Sequence, residues 1–286
     1  MPHAEPTALA RRIDRLREVA HAEPRLDGVL LYGSWTLGEA DAYSDVEAYL
    51  FVRDADVADF DGVEFAARLG PLAYSYENQF GVLTVVFDDL MRGEFHVTAS
   101  GAGVEQVRGW RGMIHLPDTE RAVVLDRDGR LTSAARTLAE FQPPEPVGTA
   151  SHLVGELTNW TLMEAHLLAR GETARAHAWA QFMVAPAQLK LCRLLRDSTR
   201  HWLTPSRAVE QDLPAADVER YRATTSAAEP ASVLAAAVRS WRWTRELAAE
   251  AEARWSISVP TELHGRIAAL LADLEAGAGW PGPAVG

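Results

Sequence analysis

The chain has 286 residues, 48% hydrophobic and 24% charged, enough for one large domain or two modest ones with a real core. Its 40 acidic residues outnumber 28 basic ones, a formal net charge of −12, so no excess of cations exists to neutralise nucleic-acid or anionic-membrane phosphates. A single cysteine, Cys192, excludes an internal disulfide and a thiolate metal cluster. The opening residues lack the apolar core of a signal peptide, and no run of about 18 uninterrupted apolar residues occurs, so the expected location is the cytoplasm.

In chain order, Leu9, Ile13 and Leu16 recur at helical spacing between Ala4 and Ala20. Residues 28–32 (GVLLY) read as a buried strand ending in Gly33-Ser34. A polar turn, EADAYS, leads to a second strand at 45–52 (DVEAYLFV), and 56–69 reads as helix or loop. Residues 81–87 and 94–98 flank the short DDLMRG connection as an antiparallel hairpin, and 122–126 (AVVLD) forms the last strand before DRDG. Three prolines and a glycine within 142–148 then mark a linker.

Beyond the linker the pattern is helical. Leu153, Leu157, Trp160, Glu164 and Leu167 form one stripe, and Gly171 suits the position just past its helix. A second helical run reaches about Arg200, restarting at Pro186, and later helices begin near Pro214, Pro230 and Pro260. The expected fold is α+β: a mixed sheet with flanking helices in 1–142, a Pro-rich linker at 143–148, a helical bundle in 149–276 and a flexible tail at 277–286.

Strand alternation concentrates chemistry in residues 32–52. Asp45, Glu47, Tyr49 and Phe51 share one face of the second strand, while Val46, Ala48, Leu50 and Val52 share the other. Two carboxylates fixed side by side repel one another, and a divalent cation relieves that repulsion; their hard oxygens suit magnesium. Gly33-Ser34, directly after a buried strand, lets backbone amides and a hydroxyl approach a phosphate. In GEFHV, Glu94 and His96 face one way, and Glu94 could serve as a bridging metal ligand or a general base. Asp88 and Asp89 compete for that role, although turn chemistry alone accounts for acids there.

Gly-Ser, a spacer, Asp-x-Glu and a later strand acid resemble the nucleotidyltransferase superfamily. Together with NWTLMEAHLLARGETARA and HWLTPSRAVEQDL, they look like the two-domain lincosamide nucleotidyltransferases over most of the chain, with Glu47 standing where Asp is usual. The resemblance implies transfer of a nucleoside monophosphate from an NTP, ATP or GTP, to a hydroxyl of a lincosamide antibiotic. It implies a magnesium site, with two ions, on Asp45, Glu47 and Glu94; phosphate anchoring by Gly33 and Ser34; and Glu94 as the base. In the helical domain, which would bind the acceptor and pair two copies as a homodimer, Lys190 and Arg193 share a helix face suited to the triphosphate. Lys190, the sole lysine, stands out in a chain whose other basic residues are all arginine. Trp160, His201, Trp202 and His96 are the expected acceptor contacts. An aminoglycoside acceptor and a non-catalytic, antitoxin-like binding protein are the competing readings.

Overall fold

The computed structural model describes residues 7–277, and the chain divides into two compact units, Met1–Gln142 and Pro143–Gly286. Together they make the expected mixture of α and β structure, and among the described residues all six strands lie in the first unit.

The strands are β1 (Leu26–Leu31), β2 (Val46–Val52), β3 (Leu72–Glu77), β4 (Leu83–Phe87), β5 (Arg92–Ala99) and β6 (Val123–Asp126), in the spatial order β3-β4-β5-β2-β1-β6. Neighbours are antiparallel except the central pair, β2 and β5, which run parallel. The β4–β5 hairpin forms across the DDLMRG connection, with Leu83 opposite Phe95.

Alternation divides the sheet between two cores. Val46, Ala48, Leu50, Val52 and Phe95 pack with Leu9, Ile13 and Leu16 of α1 (Thr7–Ala22) and Phe65 of α2 (Gly62–Ala67). On the opposite face Leu30 and Phe51 pack with Val104 and Val107 of α3 (Ser100–Val107), and with Leu131 beyond the short α4 (Thr119–Ala122), in α5 (Arg130–Arg136). The ambiguous segment 56–69 resolves into a 3-10 turn, Val57–Asp59, and α2, whose Asp61 carboxylate caps the amides of Val63 and Glu64 at 2.8 and 2.9 Å.

The linker expected at 143–148 is shorter than that. Pro146 opens α6 (Pro146–Ala169), and Glu145 caps the amides of Val147 and Gly148 at 2.8 and 2.7 Å, so the last three linker residues are helix. Proline tolerates this first turn because its missing N–H would have no intrahelical partner there. At the other end Gly171, with φ +73°, reverses the chain. The amides of Gly171 and Glu172 then reach the carbonyls of Leu168 and Leu167, both at 2.9 Å, closing the helix as expected.

The second helical run is α7 (Thr173–Trp179), a π-helical turn (Ala180–Val184) and α8 (Ala185–Leu195). Pro186 restarts regular helix without ending the run, because the wide turn precedes the ring that would clash with it. After α9 (Val209–Asp212), the helices α10 (Ala215–Ala223), α11 (Pro230–Trp255) and α12 (Thr261–Glu275) begin at or one residue after Pro214, Pro230 and Pro260. Their core gathers Leu153 and Leu157 of α6, Leu189 and Cys192 of α8 and Trp243 and Leu247 of α11. The tail expected at 277–286 lies, after Gly277, outside the described residues.

Candidate active site

The parallel β2–β5 pair brings the carboxylates together. Glu47 and Glu94 are register partners, and Asp45 lies two residues before Glu47, at the mouth of β2. The apolar sets Val46-Ala48-Leu50 and Phe95-Val97 are committed to the first core, so alternation turns Asp45, Glu47 and Glu94 to the opposite face. Asp45 and Glu94 keep 23% and 27% of their side-chain surface exposed, so they remain open to an arriving ligand.

Gly33 is fitted to Glu47. Its φ is +74°, and a Cβ placed there would sit 1.7 Å from Glu47 Oε2, so any side chain would expel the carboxylate. The turn that follows is fixed by Thr36 Oγ1 donating to the Gly33 carbonyl at 2.9 Å and by the Glu39 amide donating to the Ser34 carbonyl at 2.9 Å. The result is a tight, nearly buried Gly-Ser corner against the second acid of the motif.

Behind the carboxylates lies an aromatic floor. The Tyr32 hydroxyl and His96 Nε2 share a hydrogen bond of 3.0 Å, and the His96 ring stacks on Tyr49 with centroids 4.1 Å apart. Tyr49 in turn meets Trp110 at 4.5 Å. Burial, reinforced by the negative charges of Glu47, Glu94 and Asp45, raises the Tyr32 phenol above its usual range. Burial lowers the His96 imidazole from its usual range, disfavouring its charged form. His96 supports the site from below, where its ring is committed to Tyr32 and Tyr49.

Two features escaped the sequence reading. Arg92 opens β5 and joins the acids: its Nη1 is 3.3 Å from Asp45 Oδ2 and its Nη2 2.6 Å from Glu94 Oε1. The signal was available, since Arg92, Glu94 and His96 alternate onto one face, but the expected strand began two residues late. The second is β3. Tyr76 pairs with Thr84, which pairs with Glu94, while Tyr74 pairs with Val86, which pairs with Arg92. Register partners share a face, so Tyr74 and Tyr76 stand on the carboxylate face, stacked with centroids 5.6 Å apart and 61% and 46% exposed.

In the helical unit two of the expected site residues are engaged in a buried polar hub. Arg193 was expected at the nucleotide, yet it is wholly buried. It donates to the Pro205 carbonyl at 2.8 Å, the Ser198 carbonyl and hydroxyl at 3.2 Å, Asp212 at 2.8 Å and the Arg207 carbonyl. It therefore ties the loop after α8 to α9. His201 was expected to wall the acceptor; it is buried beside that hub, its Nδ1 2.5 Å from the same Asp212 oxygen. Lys190 remains partly exposed, with Nζ 5.4 Å from the Trp202 ring centre, and Trp160 and Trp202 are half-buried against the helical core.

Residues 148–270 match the family model of the lincosamide nucleotidyltransferase-like C-terminal domain. The likeness to lincosamide nucleotidyltransferases is borne out over that segment, which runs from the first turn of α6 into α12. Among curated proteins none matches the chain. Solved structures similar to it include an aminoglycoside 6-adenyltransferase from Bacillus subtilis, with 11% identity, 92% of this chain and 97% of that one covered, and a TM-score of 0.43. Another is a nucleotidyltransferase-like protein from Exiguobacterium sibiricum, with 16% identity, 84% and 77% covered, and a TM-score of 0.38.

Lys190, Trp160 and Trp202 fall within the segment that matches this model, and all three candidate metal ligands lie in the other unit. Among the described residues no His, Cys, Asp or Glu cluster is already drawn into ligating geometry. The donor chemistry nevertheless fits a hard divalent cation: three adjacent carboxylates, one seated in a cradle that a Cβ would fill, and a guanidinium already balancing two of them. No helix described is long and apolar enough to cross a membrane.

Proposed function

We propose that the chain transfers a nucleoside monophosphate from an NTP to a hydroxyl of a lincosamide antibiotic. The observation that carries this reading is the pairing of Glu47 with Glu94 across two parallel strands, with Glu47 lodged against Gly33. The family match over 148–270 supports the choice of acceptor.

Asp45, Glu47 and Glu94 would hold magnesium, which when bound supplies positive charge to the triphosphate and the departing pyrophosphate. The Gly33-Ser34 corner presents a backbone amide and a hydroxyl to phosphate oxygens. Glu94 accepts the proton of the acceptor hydroxyl as its oxygen bonds to the α-phosphorus, and the bond from that phosphorus to the bridging oxygen breaks to release pyrophosphate. Tyr74 and Tyr76 offer a stacking surface for a ring of the acceptor on the same face. Positioning and charge, more than covalent chemistry, carry such a step.

Incubation of the full chain with magnesium, each NTP in turn and a panel of lincosamides and aminoglycosides tests the proposal by mass spectrometry. We expect a lincosamide to gain one nucleoside monophosphate with stoichiometric pyrophosphate. Transfer to an aminoglycoside alone would replace the acceptor, and no transfer to any member would remove the activity.

A further inference from the structure

We propose that Arg92 is a counter-cation that the nucleotide-free site keeps on Asp45 and Glu94 and passes to the polyphosphate when a divalent ion takes those carboxylates. This rests on the nucleotidyl-transfer reading of the site and adds to it a residue with two successive partners.

Arg92 lies across the β2–β5 pair, with one guanidinium nitrogen on Asp45 and another on Glu94. Those are two of the three carboxylates that would ligate the ion, and a guanidinium and a hard cation compete for the same oxygens. The pairing is also easily broken. Arg92 is 54% exposed, and solvent-screened pairs of this kind are weak. The backbone that carries it is held firmly: Gly93 is buried, packed so closely that an added Cβ would meet the Phe95 ring at 2.8 Å. The anchor is therefore rigid and the side chain free to turn.

Displacement leaves a planar fork of N–H donors at the edge of a face about to receive a polyanion. Guanidinium donors match phosphate oxygens in pairs, which an ammonium cannot do. The same charge thus serves twice. In the empty site it suppresses repulsion between acids fixed by the strand register; in the loaded site it balances the phosphates. A static surface salt bridge would instead leave both ligands indifferent to Arg92.

Calorimetric titration of the full chain separates these cases. Wild type, Arg92→Met and Arg92→Lys are titrated first with manganese chloride alone, then with inorganic tripolyphosphate at saturating magnesium. We expect Arg92→Met to bind manganese about three- to tenfold more tightly, since it no longer competes for Asp45 and Glu94. The same variant should bind tripolyphosphate roughly tenfold more weakly, with Arg92→Lys recovering part of the loss. Unchanged or weaker manganese binding, or unchanged tripolyphosphate binding, would overturn the proposal. If wild type binds both probes and Asp45→Asn abolishes the manganese isotherm, the site reading stands whatever Arg92 does. If wild type binds neither probe, that reading fails and takes the proposal with it.

Discussion

On β5 the Arg92 side chain is 54% exposed and shared between two carboxylates; on α8 Arg193 has no exposed side-chain surface and binds three backbone carbonyls, a hydroxyl and a carboxylate. Both are arginines beside acids, yet one is poised to change partners and the other is not. The difference lies in what else is lost when the ion pair opens. Opening the Arg92 pair exposes groups that water can solvate at once. Opening the Arg193 hub strands a buried cation and the carbonyls of an entire loop. Charge at the start of β5 is arranged for exchange, and charge in the bundle for permanence.

The largest effect should come from breaking the permanent side. Arg193→Met should destabilise the protein by about 3–5 kcal/mol, because the loop carbonyls lose this donor and Asp212 loses its buried cation. Arg92→Met should move the thermal midpoint by no more than about 2 °C. Denaturant and thermal melts of the two variants side by side check this; equal losses would erase the distinction.

A smaller effect sharpens the same contrast through pH. Glu164, within α6, is 1% exposed, its Oε2 lacks a hydrogen-bond partner among the described residues, and burial pushes its carboxyl up to about 8. Between about pH 4.5 and 8 the folded protein holds a proton there that the unfolded chain has released, so stability falls as pH rises and levels off above that window. Glu164→Gln should flatten this slope, raising the midpoint at pH 8 by a few degrees relative to wild type, at about 2–4 °C per kcal/mol. A wild-type midpoint that climbs between pH 5 and 8, unaltered by the substitution, would contradict the buried acid.

What the sequence disclosed follows from which forces are local. Alternation in DVEAYLFV is a local property, so the faces of β2 and the convergence of Asp45 and Glu47 could be read directly. Gly171 as a helix terminator and Pro230 as a helix start were legible for the same reason. The role of Arg193 was not. Helical spacing places it beside Lys190, but its acceptors come from Ser198, Pro205 and Arg207 of the following loop and from Asp212 of α9, a return path that no periodicity encodes. The strand β3 was equally hidden. Leu72 alone among its residues packs on the apolar core, and the two tyrosines that mark its pattern face outward. Arg92 needed only the correct strand start.

The central claim, that the paired carboxylates on β2 and β5 form a nucleotidyl-transfer site, is tested most directly by one comparison. Pyrophosphate release and acceptor mass are followed for wild type and Glu47→Gln, with magnesium, NTP and the acceptor that wild type modifies. Glu47 is seated against Gly33 in a cradle that glutamine fits equally well, so the variant should fold with an unchanged thermal midpoint. Its transfer rate should nevertheless fall by about a thousandfold or more, the scale expected when charge stabilisation at the reacting phosphate is lost. A folded Glu47→Gln protein that retains wild-type turnover would place the chemistry elsewhere.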